Sequence, residues 1–241
     1  MSKLNYLLKG NTKIAYRYYK RSKKSLVFIH GLLSDMNGKK STYFNNYCRR
    51  NKISFLCFDF RGHGKSSGNF IDFGIGDWFS DLKSLLKYLN INQSTLVGSS
   101  MGGWVAMLYA LNYPKKVSKL IGIAPAPDFT KELIWKSLTS KEKQKIKSNK
   151  IVTRKVSKDF SYSYSPKLFI NSKNFFVKDI KKKYDGQTIL FHGGQDQSVP
   201  YNYNDKFYKN STFLNLTNIT IKNADHSMSD ELSLKTIIKY I

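Results

Sequence analysis

The chain has 241 residues, with 41 Lys plus Arg against 16 Asp plus Glu, a formal charge of +25. That length suits one α/β domain or two small ones, able to bury a core without disulfides or a metal, and 41% hydrophobic residues exclude wholesale disorder. No run of eighteen apolar residues exists, so no transmembrane segment is expected. No apolar stretch follows the N-terminus, so no signal peptide is expected either. Two cysteines, Cys48 and Cys57, are too few for a disulfide framework and suit a reducing compartment.

The elements follow in chain order. Tyr6-Leu7-Leu8, Gly10-Asn11 and Ile14 to Tyr18 predict a hairpin of half-buried strands. Leu26 to His30 and Phe55 to Phe60 are short apolar runs of the kind buried on both faces of a parallel sheet. Trp78, Phe79, Leu82, Leu85, Leu86 and Leu89 fall on one helical face. Thr95 to Val97 predicts a strand, Met101 to Asn112 a helix stopped before Pro114, and Val117 to Ile123 a strand. Thr188 to Phe191 and Ile219 to Ile221 predict two more strands, and Leu232 to Tyr240 a closing helix. Strands alternating with helices imply a mostly parallel sheet flanked by helices. The interval 128–185 breaks the rhythm and is expected to be a helical cap inserted over one end of the sheet, within a single domain spanning 1–241. Ligands of such sheets bind outside the carboxyl ends of the strands.

The charge suggests a nucleic-acid or acidic-membrane partner, but the bases are 35 Lys and only 6 Arg, and base-edge readout favours Arg. No basic amphipathic helix or nucleic-acid fold signature is present, so no specific nucleic acid is expected as partner. Residues 131–183 hold sixteen bases and four acids, a net +12, which places the excess on the expected cap.

Gly98-Ser99-Ser100-Met101-Gly102 carries the chemistry. Glycines at −2 and +2 of Ser100, between a strand and a helix, make the sharp turn that presents a nucleophilic hydroxyl. A serine needs a base. Of four histidines, His226 lies in a polar loop after the last strand, where a base could reach Ser100. His30 precedes Gly31 and suits the loop that supplies an oxyanion-binding amide. His63 and His192 read as packing residues. The acid between Ser100 and His226 in chain order is Asp196, just past a strand, with Asp128 as the alternative. Asp225, beside His226, is expected to bond its own loop. The oxyanion donors are expected to be the backbone N–H groups of Met101 and Leu32. Phe160, Tyr162, Tyr164, Phe169, Phe175 and Phe176 could line an acyl pocket. Nothing in the pattern calls for a cofactor or a metal.

Together these motifs resemble the α/β-hydrolase superfamily over nearly the whole chain: His30-Gly31, Asp59-Phe60-Arg61-Gly62-His63-Gly64-Lys65-Ser66, the turn at Ser100, His192-Gly193 to Asp196 with Val199-Pro200, and His226. Gly31 to Lys39, Val97 to Trp104, Tyr164-Ser165-Pro166-Lys167 and Asp225-His226 are similar to one branch, that of a mitochondrial acyl-glucuronide esterase, also described as a palmitoyl-protein thioesterase, and its bacterial relatives. The resemblance implies an α/β-hydrolase fold and a Ser-His-Asp hydrolase of acyl esters or thioesters, on small molecules or acyl-proteins. C–C hydrolysis or perhydrolysis on the same fold is the alternative chemistry. Abundant Lys, Asn, Ile, Tyr and Phe fit an AT-rich bacterial genome, and the lack of an export signal with two unpaired-looking cysteines favours the cytoplasm. The acid-free basic N-terminus and the mitochondrial relative make the mitochondrial matrix the alternative. Oligomeric state is not readable.

Overall fold

The structure, a computed structural model, describes residues 2–155, 161–205 and 212–241. Eight strands form one sheet. In chain order they are β1 (Leu4–Lys9), β2 (Thr12–Tyr19), β3 (Ser25–Ile29), β4 (Ser54–Phe58), β5 (Ser94–Ser99), β6 (Val117–Ile123), β9 (Tyr184–Gly193) and β10 (Phe213–Ile221), with a separate ribbon of β7 (Val152–Lys155) and β8 (Ser161–Tyr164). The spatial order is β1-β2-β4-β3-β5-β6-β9-β10. The β1–β2 and β2–β4 pairs are antiparallel, and all others in the sheet are parallel. The predicted hairpin forms with Lys9 opposite Thr12, turning at Gly10 with φ of +55°.

The apolar runs are buried on both faces because successive side chains of a strand point to opposite sides. Val27 and Ile29 of β3 and Leu56 and Phe58 of β4 join a core under α2 (Ile75–Tyr88) and α3 (Met101–Asn112). Leu26, Phe28, Phe55 and Cys57 join a second core under α1 (Lys39–Arg50) and α6 (Glu231–Ile238). On α2, Trp78, Leu82, Leu85 and Leu86 are buried, as their spacing predicts, and Phe79 and Leu89 pack at the margin. Cys48 and Cys57 are buried free thiols, which burial pushes up to about 12 and about 11. Among the described residues no helix is long and apolar enough to cross a membrane.

Two strands are longer than their apolar centres suggest. β9 begins at Tyr184, whose buried ring donates its hydroxyl to the Val117 carbonyl. β10 is an edge strand, and exposed Asn and Thr positions hide its first half from a hydrophobic pattern.

The segment between β6 and β9 is not wholly helical. It contains a wide helical turn (Thr130–Trp135), α4 (Ser140–Lys147), the antiparallel β7–β8 ribbon and α5 (Pro166–Ser172). In β8, Tyr162 and Tyr164 lie two residues apart on one face, with rings stacked at 6.0 Å. Arg154 of β7 forks onto Glu142 of α4 and also bonds Ser137, tying the ribbon to the helices. The segment is seated on α3, where Trp104 donates its indole N–H to the Phe175 carbonyl and stacks on Phe176.

Candidate functional site

β5 ends at Ser99, and α3 begins at Met101, so Ser100 alone makes the turn between them, with φ of +52°. A non-glycine residue in that region is strained and must be held there by its surroundings. Ser100 N–H donates to the Ile123 carbonyl, and Ser100 C=O accepts from Gly103 and Ala126. The flanking glycines are required by close approach: a Cβ on Gly98 would lie 2.4 Å from the Gly102 carbonyl oxygen, and one on Gly102 would lie 2.3 Å from that of Ile29.

Asp196 and His226 come from different loops that the sheet sets side by side. β9 and β10 are parallel neighbours whose last pair is Ile221 opposite Gly193. Beyond them Gly194 N–H donates to the Ile221 carbonyl and Gln195 N–H to that of Ala224, so the two loops leave the sheet together. His226 Nδ1 lies 2.7 Å from Asp196 Oδ2, and its Nε2 lies 3.0 Å from Ser100 Oγ. The Asp196 side chain is fully buried. Burial opposes its ionisation, but the bonds from His226 and from the N–H groups of Val199 and Ser198 outweigh that, and the carboxyl is held below its ordinary range. An ionised Asp196 only accepts, so Nδ1 carries the proton and Nε2 accepts from the Ser100 hydroxyl.

The other histidines are placed differently. His30 is buried: Nε2 accepts from Phe60 N–H at 3.2 Å, so Nδ1 is the donor, at 2.8 Å from the Gly31 carbonyl. A peptide's C=O and N–H point in opposite directions, so this bond turns the Leu32 N–H away from His30. None of the backbone bonds in that turn uses the Leu32 amide. The Met101 N–H lies in the first turn of α3, where amides lack an intrahelical acceptor. Leu32 and Met101 both line the cavity that contains Ser100. His63 packs among Phe60, Phe70 and Trp78, and His192 is buried beside Asn204. Burial lowers His30, His63 and His192 to about 4, about 3 and about 4, so all three are neutral at pH 7.

Asp128, the alternative acid, is occupied elsewhere: its carboxylate accepts from the N–H groups of Val177 and Lys178, where the inserted segment returns to the sheet. Asp225 accepts from Ser227 Oγ and Met228 N–H within its own loop, as expected. Of the aromatic residues expected at an acyl pocket, Tyr162 and Tyr164 line the cavity. Phe169 instead packs with Trp135, Phe175 with Phe79, and Phe176 on Trp104. Phe160 lies outside the described residues. The cavity has a volume of about 330 Å³, and Phe129, Leu133, Ile134 and Val199 supply apolar walls. Lys40, which the sequence reading passes over as one lysine among many, also lines it. Among the described residues no cluster of three or more His, Cys, Asp or Glu side chains is arranged to hold a metal ion.

The comparisons with known proteins agree with this architecture. A solved putative hydrolase from Agrobacterium vitis superposes with a TM-score of 0.90 at 24% identity, covering 100% of this chain and 97% of that one. Alpha/beta hydrolase domain-containing protein 10 from mouse superposes with a TM-score of 0.89 at 26% identity, covering 99% and 96%. The mitochondrial palmitoyl-protein thioesterase ABHD10 of Rattus norvegicus is 28% identical over 226 residues, 93% of this chain and 76% of that protein. Residues 24–149, just over half of the chain, match the alpha/beta hydrolase fold family, and the chain belongs to it.

Proposed function

We propose that the protein hydrolyses carboxylic acyl esters or thioesters through an acyl-enzyme, with Ser100 as nucleophile, His226 as general base and Asp196 as the group that orients it. The observation that carries the proposal is the continuous pair of contacts from Asp196 Oδ2 to His226 Nδ1, at 2.7 Å, and from His226 Nε2 to Ser100 Oγ, at 3.0 Å. The thioesterase named among the similar proteins supports the choice of ester and thioester bonds.

As Ser100 Oγ attacks the acyl carbon, its proton passes to Nε2, and Asp196 stabilises the imidazolium. The carbonyl oxygen becomes an oxyanion held by the Leu32 and Met101 N–H groups, a contribution on the order of 10²–10³ in rate per donor. Collapse expels the alcohol or thiol, which takes the proton from Nε2. Water, activated by the same nitrogen, then attacks the acyl-serine, releases the acid and returns the proton to Ser100. The apolar walls and the Tyr162–Tyr164 pair would receive the acyl chain. The location proposed from the composition is a bacterial cytoplasm, and the mitochondrial name of the similar rat protein supports the mitochondrial matrix as the alternative.

The test is hydrolysis of a series of p-nitrophenyl esters and thioesters of graded chain length. Turnover is expected in the native protein and is expected to vanish in Ser100→Ala, whose circular dichroism and melting temperature stay native. Undiminished turnover by that variant refutes the nucleophile. Fluorophosphonate labelling of Ser100 without turnover of any ester would favour the other chemistries of the fold.

A further inference from the structure

Lys40 lies in the first turn of α1 and reaches the loop that carries His226. Its ammonium donates to the Ser227 carbonyl and to Ser229 Oγ. It forms no ion pair among the described residues: Asp225 attracts it, but its carboxylate bonds its own loop. Lys9 shows the contrast, since its ammonium lies 3.3 Å from the buried carboxylate of Asp81. Among the described residues Lys40 is the only lysine or arginine lining the Ser100 cavity, whose other ionisable side chains are His30, His226, Tyr162 and Tyr164, and no carboxylate lines it. A half-buried cation is costly without an opposite charge. Burial accordingly lowers Lys40 to about 8, which still leaves it mostly protonated at pH 7. An ammonium has three N–H donors. Among the described residues two are used, and the third is left for a group in the cavity.

The side of the cavity follows from the chemistry. The leaving atom must take its proton from His226 Nε2, so the leaving group departs past His226. Lys40 is tied to the carbonyl of the very next residue. We propose that Lys40 is a specificity-determining residue that recognises an anionic group, carboxylate or phosphate, on the leaving alcohol or thiol of the substrate; this rests on Ser100 being the nucleophile. The acyl half meets apolar walls, and the anion completes the pairing that Lys40 lacks within the chain.

The experiment compares butanoyl thioesters of 3-mercaptopropionamide, of 3-mercaptopropionate and of 2-mercaptoethyl phosphate, with the succinyl thioester of 3-mercaptopropionamide placing the charge on the acyl side. In the native protein kcat/KM is expected to favour at least one anionic thiol over the neutral amide by about tenfold or more, as charged hydrogen bonds do. Which of the two is favoured separates carboxylate from phosphate recognition. Lys40→Met is expected to remove that preference and Lys40→Arg to keep most of it. The preference should persist at high salt, which screens the distant lysines of the inserted segment but not a contact inside the cavity. No preference in the native protein overturns the proposal even if Lys40→Met does not fold. So does an equal loss on all substrates in Lys40→Met, which would make Lys40 only a support for the His226 loop, or a preference confined to the succinyl ester. Turnover that survives Ser100→Ala would instead refute the nucleophile, so the two failures are distinguishable.

Discussion

The loops at the carboxyl ends of β3, β5, β9 and β10 and the segment joining β6 to β9 build one cavity by different means. The loops are fixed by backbone: Gly98 and Gly102 sit where any Cβ would collide with a carbonyl, and the loop after β9 donates two main-chain bonds to the end of β10 and its loop before the two diverge. The inserted segment is fixed by side chains: Trp104 on Phe176, Trp135 against Phe169, Arg154 on Glu142. Groups that must meet within a fraction of an ångström sit on the rigid part. Groups that need only shape and polarity sit on the part that side-chain substitution can remodel.

This contrast predicts effects that differ in kind. The largest belongs to the backbone-fixed loops. His226→Ala is expected to lower kcat on any accepted ester by about 10⁴–10⁶, and the Ser100→Ala, His226→Ala double variant to lose no more, because such groups act as one unit. Asp196→Asn is expected to lower kcat by about 10⁴ through the wrong imidazole tautomer. Additive losses in steady-state kinetics would break the unit apart. In the inserted segment, Tyr162→Ala should act mainly on KM, by about tenfold or less for long acyl chains, because it removes wall area on the order of 1 kcal/mol. A collapse of kcat with unchanged KM would place Tyr162 on the wrong side of the comparison. Arg154→Ala is expected to change melting stability least, by about 1 kcal/mol or less, since its pair with Glu142 is partly exposed.

Acid stability sharpens the same contrast, because the neutral buried histidines belong to the sheet and its loops. Their folded pKa values are lowered to about 4, about 3 and about 4 for His30, His63 and His192. The unfolded chain therefore binds more protons below about pH 6.5. Stability is full above that pH and is lost as pH falls toward about 4, by about 1.4 kcal/mol per pH unit for each histidine. The lowered Asp196 acts in the same direction at still lower pH. Urea titrations across this range should show the slope, and His63→Leu should flatten it; an unchanged slope would mean that His63 titrates normally in the folded protein.

What could be read in the sequence divides along the same line. That Ser100, Asp196 and His226 would come together was legible, because a glycine-flanked turn and the order of strand ends are local or topological facts. His30 was legible as the residue that closes a strand before Gly31, but its two hydrogen bonds, to Phe60 N–H and the Gly31 carbonyl, depend on how two strands pair. The inserted segment was legible only as an interruption. Its ribbon was missed because Val152 to Lys155 and Ser161 to Tyr164 are short and polar, and which aromatic residues face the cavity depends on packing against α3. Lys40 carries no signal in a chain with 35 lysines; only the fold that brings α1 to the His226 loop distinguishes it.

If Ser100 forms a covalent acyl-enzyme by way of His226 and Asp196, a fluorophosphonate should trap it, and intact-mass analysis with peptide mapping reads this out. One adduct is expected, on Ser100, formed rapidly in the native protein and slowed by several orders of magnitude in His226→Ala. An adduct on another residue, or labelling of Ser100 at an equal rate without His226, would contradict it.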